Sequence, residues 1–192
     1  MAQQNEGTST RSQELSRREE RAHRILDAAS TLILRWGYNK TTIDDIARQA
    51  SVAKGTIYLH WKTREELFSA LMQRERLALT ADVKQRITSD PAGATLRGLL
   101  KHSALALMQR PLLKAVFLRD MDVIGKLAHS QHSNAVHAER LAGFTAYLEF
   151  LREHDLVRTD LSLRAQVYIL SATFMGFFLI GPLMPDELTL SD

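Results

Sequence analysis

The sequence contains no cysteine, which excludes disulfide bonds and any metal site built on thiolates. Proline is also scarce, and the first of the four prolines is Pro91, so no proline interrupts a helix before that point. No segment alternates apolar and polar residues for long enough to predict a strand. These absences favour an all-α protein without a disulfide framework.

The motifs of catalysis are missing as well. The chain has no glycine-rich phosphate loop, no histidine–carboxylate metal motif and no serine nucleophile elbow. We therefore expect a protein that is not an enzyme and that needs no cofactor. The N-terminal residues lack the apolar segment of a signal peptide, which, together with the absence of cysteine, favours a cytoplasmic location.

An excess of positive charge is confined to the first half of the chain. Residues 1–80 hold 13 Lys and Arg against 10 Asp and Glu, whereas residues 81–192 hold 12 of each kind. Between residues 35 and 64 the ratio is six basic residues to two acidic ones. Such a local basic surplus indicates an anionic partner, for example a phosphate backbone.

Helical periodicity runs through most of the sequence. A first helix is predicted from about Arg17 to Trp36, with Gly37 in the place of a left-handed C-terminal residue. Thr42 and Thr63 are each followed three residues later by an acidic residue, which predicts capped starts for further helices. After the break at SDPAG, four more helical segments are predicted at 94–110, 112–127, 134–154 and 161–184.

We predict an all-α fold in which an N-terminal helix-turn-helix domain of three helices is followed by a C-terminal helical bundle. The predicted boundaries are a polar and mobile arm at 1–16, the helix-turn-helix domain at 17–66, a connecting helix at 67–90 and a ligand-binding and dimerisation domain at 91–192.

The stretch TTIDDIARQASVAKGTIYLHW, residues 41–61, contains a cap, a short amphipathic helix, a three-residue break and a second short helix. If the first helix begins at Ile43, Ile46 and Ile57 fall where the two helices must bury apolar groups. The second helix, about residues 54–60, is too short to bury much, but it is suited to present its N-terminal residues to a DNA groove. A purely structural helix pair is the alternative that this spacing leaves open.

The wider stretch from Trp36 to Leu67 closely resembles the DNA-binding signature of the TetR (tetracycline repressor-like) family. The matching residues are Gly37-Tyr38, Thr41-Thr42, Asp45-Ile46-Ala47, Gly55-Thr56-Ile57-Tyr58, His60-Trp61 and Arg64-Glu65-Glu66-Leu67. The chain departs from the family at Ser51-Val52-Ala53, where Gly-Val-Ser is usual. We expect a cost in backbone strain at Ser51 and no hydroxyl cap from Ala53.

The resemblance implies a transcriptional regulator, expected to be a repressor, that binds a palindromic double-stranded DNA operator as a homodimer. It implies that phosphates are held by Thr42, Tyr58, His60 and Arg64, that Lys54 and Thr56 lie nearest the base edges, and that Gly55 allows close approach. For Tyr58 we nevertheless favour a buried ring whose hydroxyl bonds the backbone, and for Trp61 we favour core packing.

The resemblance also implies that a small, mostly apolar effector binds the second domain and releases the DNA. The candidate pocket residues are His102, Leu105, Met108, Phe117, Met121, Phe144, Tyr147 and Phe174. Simple core packing is the alternative for each of them. A regulator whose second domain binds a protein partner and no small molecule is the alternative function, and a deep apolar cavity would separate the two.

Residues 167–184 carry no charge and by length alone could span a bilayer. The interspersed Ser171 and Thr173 and the break at Pro182 argue instead for a buried helix with no membrane contact. We place it in the dimer, with Phe177, Phe178 and Ile180 as candidate interface residues. Because family members usually have one further helix, the chain either stops short of it or dimerises differently.

His129 and His132 could pair on a metal, but solvated histidines are expected and no metal site is predicted.

Overall fold

The computed structural model describes residues 4–118, 120–124 and 131–180, without the side chains of residues 4–12, 121, 131–137, 139 and 140. The described residues form helices and no strand, as predicted. The helices are α1 Gln4–Trp36, α2 Ile43–Gln49, α3 Lys54–His60, α4 Arg64–Ser89, α5 Leu96–Met108, α6 Pro111–Leu118, α7 Met121–Ile124, α8 Gln131–Glu153 and α9 Leu163–Ile180.

The first three helices pack around one apolar centre. Ile25 of α1, Ile46 of α2 and Ile57 of α3 are buried together there, and Trp61 packs against their cluster as expected. Helix α4 closes this domain with Leu67, Phe68, Leu71 and Met72 and then continues without a break toward the second domain. The boundary predicted between residues 66 and 67 therefore falls inside one continuous helix, which both domains share.

Helix α1 begins earlier than predicted. It starts at Gln4, so the arm predicted for residues 1–16 is helical from that residue onward, and residues 13–20 are exposed on it. The segment contains no proline, and opposite charges such as Glu14 and Arg18 lie one turn apart, which supports a solvated helix. The polar composition indicated an absence of packing, but it did not exclude helix.

The single helix predicted for residues 112–127 is interrupted. Helix α6 ends at Leu118 and α7 begins at Met121. Between them, a carboxylate oxygen of Asp120 accepts the backbone N–H groups of Asp122 at 3.1 Å and Val123 at 3.4 Å. Asp120 thus caps a new helix start, and this local side-chain bond competes with helix continuation.

Helix α9 packs on α8 and α6 with one side only. Phe178 is 5% exposed and packs on Phe117 and Phe174, whereas Tyr168, Ile169, Leu179 and Ile180 are exposed. In the single chain α9 is therefore buried on one side only, and the expected burial of its other side in a dimer stays a prediction. By length and hydropathy alone α9 could also cross a membrane, but a single helix of this kind is weak evidence for a membrane span.

Candidate nucleic-acid interface and effector cavity

Helix α2, the first helix of the helix-turn-helix, begins at a capping box. The hydroxyl of Thr42 accepts the N–H of Asp45 at 3.2 Å, and the Asp45 carboxylate accepts the N–H of Thr42 at 3.3 Å. The Thr42 hydroxyl also donates to this carboxylate at 2.6 Å, and this bond holds the pKa of Asp45 below its usual value. A phosphate contact by Thr42 would therefore need its hydroxyl proton to change partner.

The turn between α2 and α3 has the geometry of a Schellman motif. Val52 donates to the carbonyl of Ala47 at 3.0 Å, and Ser51 donates to that of Arg48 at 3.2 Å. Ser51 has a φ of 55°, in the left-handed region that favours glycine. The strain expected at this position is confirmed, and so is the missing cap, because Ala53 makes no side-chain bond to α3.

We expect Ser51→Gly to stabilise the protein by about 1 kcal/mol, because glycine adopts this backbone conformation without the clash of a Cβ atom. Urea unfolding at a fixed protein concentration measures the change. Ser51→Ala is the matched control, since alanine keeps the Cβ atom and should give no gain. A glycine variant no more stable than the alanine variant would show that the turn is not strained.

The side chain of Lys54, the first residue of α3, pairs with an acidic residue of α2. The ammonium of Lys54 lies 2.8 Å from a carboxylate oxygen of Asp44, and this hydrogen bond raises the pKa of Lys54. Both side chains are about half exposed, so the pair is worth little in stability. It nevertheless directs Lys54 toward α2, and a base contact by this residue would require the pair to open.

The exposed surface of α3 differs from the prediction at Tyr58. Its ring is 39% exposed, so the competing expectation of a buried ring is wrong. Leu59 is 68% exposed, and a Cβ atom added at Gly55 would meet no atom within 4 Å. Thr56 is partly buried beside them. Leu59 received no DNA role from the sequence, although its place on the helix could have indicated one.

His60 lies partly buried at the end of α3. Burial lowers its pKa, and the positive charges of Arg18 and Arg21 on α1 lower it further. We therefore expect the imidazole to be neutral at physiological pH in the free protein. A neutral imidazole can still donate one ring N–H to a phosphate.

Arg64 is engaged within the chain. Its guanidinium donates to the carbonyl of Tyr38 and lies 3.8 Å from the centroid of the Tyr38 ring. That ring also packs on Phe68 at a centroid distance of 5.1 Å, and burial raises the pKa of its hydroxyl. In the free chain Arg64 therefore holds the turn after α1 against the start of α4, and the phosphate contact by its other N–H groups stays a prediction.

A cavity of about 630 Å³ lies within the second domain. Its lining is mostly apolar, with the hydroxyl-bearing residues Ser103, Tyr147 and Ser171 as polar groups. The Tyr147 hydroxyl donates to the carbonyl of Ala94 at 2.8 Å, which fixes the ring at the wall. The described lining residues are Ile87, Gly93, Ala94, Leu99, Leu100, Ser103, Phe117, Leu141, Gly143, Phe144, Tyr147, Leu170, Ser171, Phe174 and Met175.

Of the predicted pocket residues, Phe117, Phe144, Tyr147 and Phe174 line this cavity, whereas His102, Leu105 and Met108 do not. The helical period of α5 explains the errors. Ser103 faces the cavity, Leu105 and Met108 lie on other sides of the helix, and Met108 is exposed. The side chain of Met121 lies outside the described residues.

His102 has a structural partner instead of a place in the cavity. Its Nε2 lies 2.9 Å from a carboxylate oxygen of Asp90, the residue that directly follows α4. The backbone N–H of Ala92 and this imidazole lower the pKa of Asp90. The pair fastens α5 to the end of α4, which sequence spacing alone could not indicate.

The predicted interface residues separate into two groups. Phe178 is corrected, since it is buried in its own chain, and Phe177 packs against the same core. Ile180 is exposed, together with Ile169 and Leu179.

His129 lies outside the described residues, as does the side chain of His132, so the metal pair considered above is not described.

Residues 25–71 match the family model described as "Bacterial regulatory proteins, tetR family". This match covers the C-terminal part of α1, all of α2 and α3 and the start of α4, and it includes the helix-turn-helix. The chain carries a TetR-family DNA-binding domain. The resemblance read from residues 36–67 is thereby confirmed.

Curated relatives that are transcriptional regulators agree with this assignment, and a solved structure agrees with the fold. The HTH-type transcriptional regulator AcrR of Shigella flexneri is 30% identical over 121 residues, which are 60% of this chain and 55% of AcrR. The fatty acid metabolism regulator protein of Bacillus subtilis (strain 168) is 36% identical over 70 residues, which are 34% of this chain and 36% of that protein. The structure of NalD, the secondary repressor of a multidrug efflux pump in Pseudomonas aeruginosa, has a TM-score of 0.62 at 24% identity and 88% coverage of both chains.

The chain spans between 30% and 55% of the length of the first four curated relatives that it matches. Those matches therefore establish a TetR-family DNA-binding domain. The likeness to NalD, which covers 88% of this chain, supports the overall fold.

Proposed function

We propose that this protein is a cytoplasmic, homodimeric repressor that binds a palindromic operator and releases it when a small, mostly apolar effector fills the second domain. The observation that supports the effector is the cavity of about 630 Å³ behind the DNA-binding domain. A volume of this size, lined by apolar groups and a few hydroxyls, is typical of small-molecule sites. It favours an effector over the alternative of a protein partner.

DNA binding in this proposal uses the exposed side of α3. Gly55 lets the helix backbone come close, and Thr56 and Tyr58 flank it. Lys54 and His60 lie nearer the body of the domain and reach phosphates rather than bases. In a helix-turn-helix protein the second helix enters the major groove, and two copies must be one helical turn of DNA apart.

Dimerisation in this proposal uses the outer faces of α8 and α9. On α8 the exposed positions include Ala142, Ala146 and Phe150, and on α9 they include Ile169 and Ala172. The small residues allow close helix approach, and the larger ones supply apolar area. Two helices from each copy would make a four-helix bundle and would remove this apolar surface from water.

The effector must bind the form that does not fit DNA more tightly than the form that does. A direct route from the cavity to the DNA-binding domain runs through Phe117 on α6 into α7. There the carbonyl of Val123 accepts the N–H of Tyr38 at 2.8 Å. Gly37 packs so closely on α7 that an added Cβ atom would lie 2.3 Å from the carbonyl oxygen of Asp122.

Tyr38 in turn contacts Arg64 and Phe68 at the start of α4. Helix α4 also reaches the cavity at its other end through Ile87. We propose that filling the cavity shifts α6, α7 and α4 together and changes the separation of the two α3 helices in the dimer.

Selection of binding sites from random DNA duplexes tests whether the protein binds a palindromic operator. We expect enrichment of an inverted repeat whose half-sites are one helical turn apart, with affinity that falls steeply as salt rises. A protein that enriches no sequence, or enriches only single half-sites, would contradict a dimeric operator-binding function.

We expect Ser103→Phe to block the cavity and to weaken the binding of a neutral apolar fluorophore, N-phenyl-1-naphthylamine, by at least about tenfold, because the new ring occupies apolar volume that the probe needs. Fluorescence titration of the full chain measures this, and operator binding without ligand should stay close to that of the parent. Met108→Phe adds the same ring at an exposed position on the same helix and should bind the probe normally. Equal probe binding by both variants would place the apolar site elsewhere.

A further inference from the structure

Leu59 is the outermost side chain of α3. Successive side chains of an α-helix are separated by about 100° around its axis. Counted from Ile57, which is fully buried, Gly55 lies about 160° away and Leu59 about 200° away. The side of α3 directly opposite the core therefore consists of bare backbone at Gly55 and one isobutyl group at Leu59.

The polar side chains of α3 lie on its flanks. By the same count Lys54 and His60 lie about 60° to either side of Ile57, and Thr56 and Tyr58 about 100° to either side. The contacts agree with this count, because Lys54 is bound to Asp44 of α2 and His60 lies near the arginines of α1. When α3 enters a groove, these groups face its walls, and Leu59 faces its floor.

A single exposed leucine is common on protein surfaces and by itself indicates nothing. Leu59 differs because it occupies the position from which a recognition helix reads bases. The floor of the major groove offers hydrogen-bond donors and acceptors and one apolar group, the 5-methyl of thymine. A leucine cannot satisfy the donors and acceptors, and covering them would cost free energy without return.

We propose that Leu59 selects thymine at one position of each half-site by packing on the 5-methyl group. This inference rests on the proposed operator binding and adds the base and the atom that the protein recognises. Gly55 supports the contact, since the absence of a side chain one turn before Leu59 lets the helix approach close enough for van der Waals contact.

The test replaces each thymine of the selected operator with deoxyuridine, one symmetric pair at a time. Deoxyuridine keeps every hydrogen-bonding group of thymine and lacks only the methyl group. At one pair we expect the Kd of the parent protein to rise roughly fourfold per half-site, or roughly 16-fold in total, from the lost burial of one carbon. Leu59→Ala should bind the thymine operator more weakly and should show no further loss with deoxyuridine at that pair.

Leu77→Ala is the matched control, because Leu77 is 65% exposed but lies on α4, and it should respond to deoxyuridine as the parent does. The inference is wrong if no thymine replacement weakens the parent, or if Leu59→Ala keeps the parent's full sensitivity at every position. Failure to enrich any operator would instead contradict the proposed function, and thymine selection by Leu59 would then be wrong as well.

Discussion

Replacing Ala172 with Asp is expected to give a folded monomer that binds the operator at least about a thousandfold more weakly than the parent. Ala172 is exposed near the middle of the outer face of α9, so the carboxylate meets water in the single chain. In the proposed dimer it would be buried without a partner, which costs several kcal/mol. Once the two half-sites are no longer joined, the gain from simultaneous binding is lost.

Sedimentation measures the oligomeric state, and a fluorescence binding assay measures operator affinity. Ala81→Asp is the control, since it makes the same change at an exposed position of α4, and it should remain dimeric. Phe178→Asp is unsuitable, because Phe178 belongs to the core of its own chain. An Ala172→Asp variant that stays dimeric and binds the operator normally would show that α9 does not form the interface.

The helix-turn-helix could be predicted closely because its determinants are local. Thr42 and Asp45 define the start of α2, and Ser51 and Ala53 define the turn and the weak start of α3. All these interactions join residues at most five positions apart, so the sequence carries them directly. The match of residues 25–71 to the TetR family rests on the same local pattern.

The orientation of single side chains could not be predicted where the partner is distant in sequence. Lys54 is drawn to Asp44, Arg64 is drawn to the ring and carbonyl of Tyr38, and His102 is drawn to Asp90. A cation read as a DNA contact from its position in a motif thus has a competing anion or aromatic ring within its own chain. Only the folded geometry decides between them.

Helix α9 shows a second limit of sequence periodicity. A helix that is apolar on every side gives no amphipathic pattern from which its inner face can be read. The choice of Phe178 for the dimer failed for this reason, because Phe174 and Phe178 pack on Phe117 inside the chain. The outward face carries Tyr168 and Ile169 together with small residues such as Ala172.

Replacing Gly55 with Leu is expected to weaken operator binding more than about a hundredfold while leaving the protein as stable as the parent or slightly more stable. An added Cβ atom meets no atom within 4 Å, so the new side chain causes no clash in the free protein. Leucine also favours a helix over glycine by up to about 1 kcal/mol. On DNA, however, the side chain would occupy the space that the bare backbone needs for close approach to the groove floor.

Thermal melting and operator binding are measured on the variants Gly55→Ala and Gly55→Leu. We expect the stability of both variants to equal or exceed that of the parent, whereas operator affinity falls steeply only with the larger side chain. Operator affinity unchanged in Gly55→Leu would mean that this side of α3 does not enter the groove.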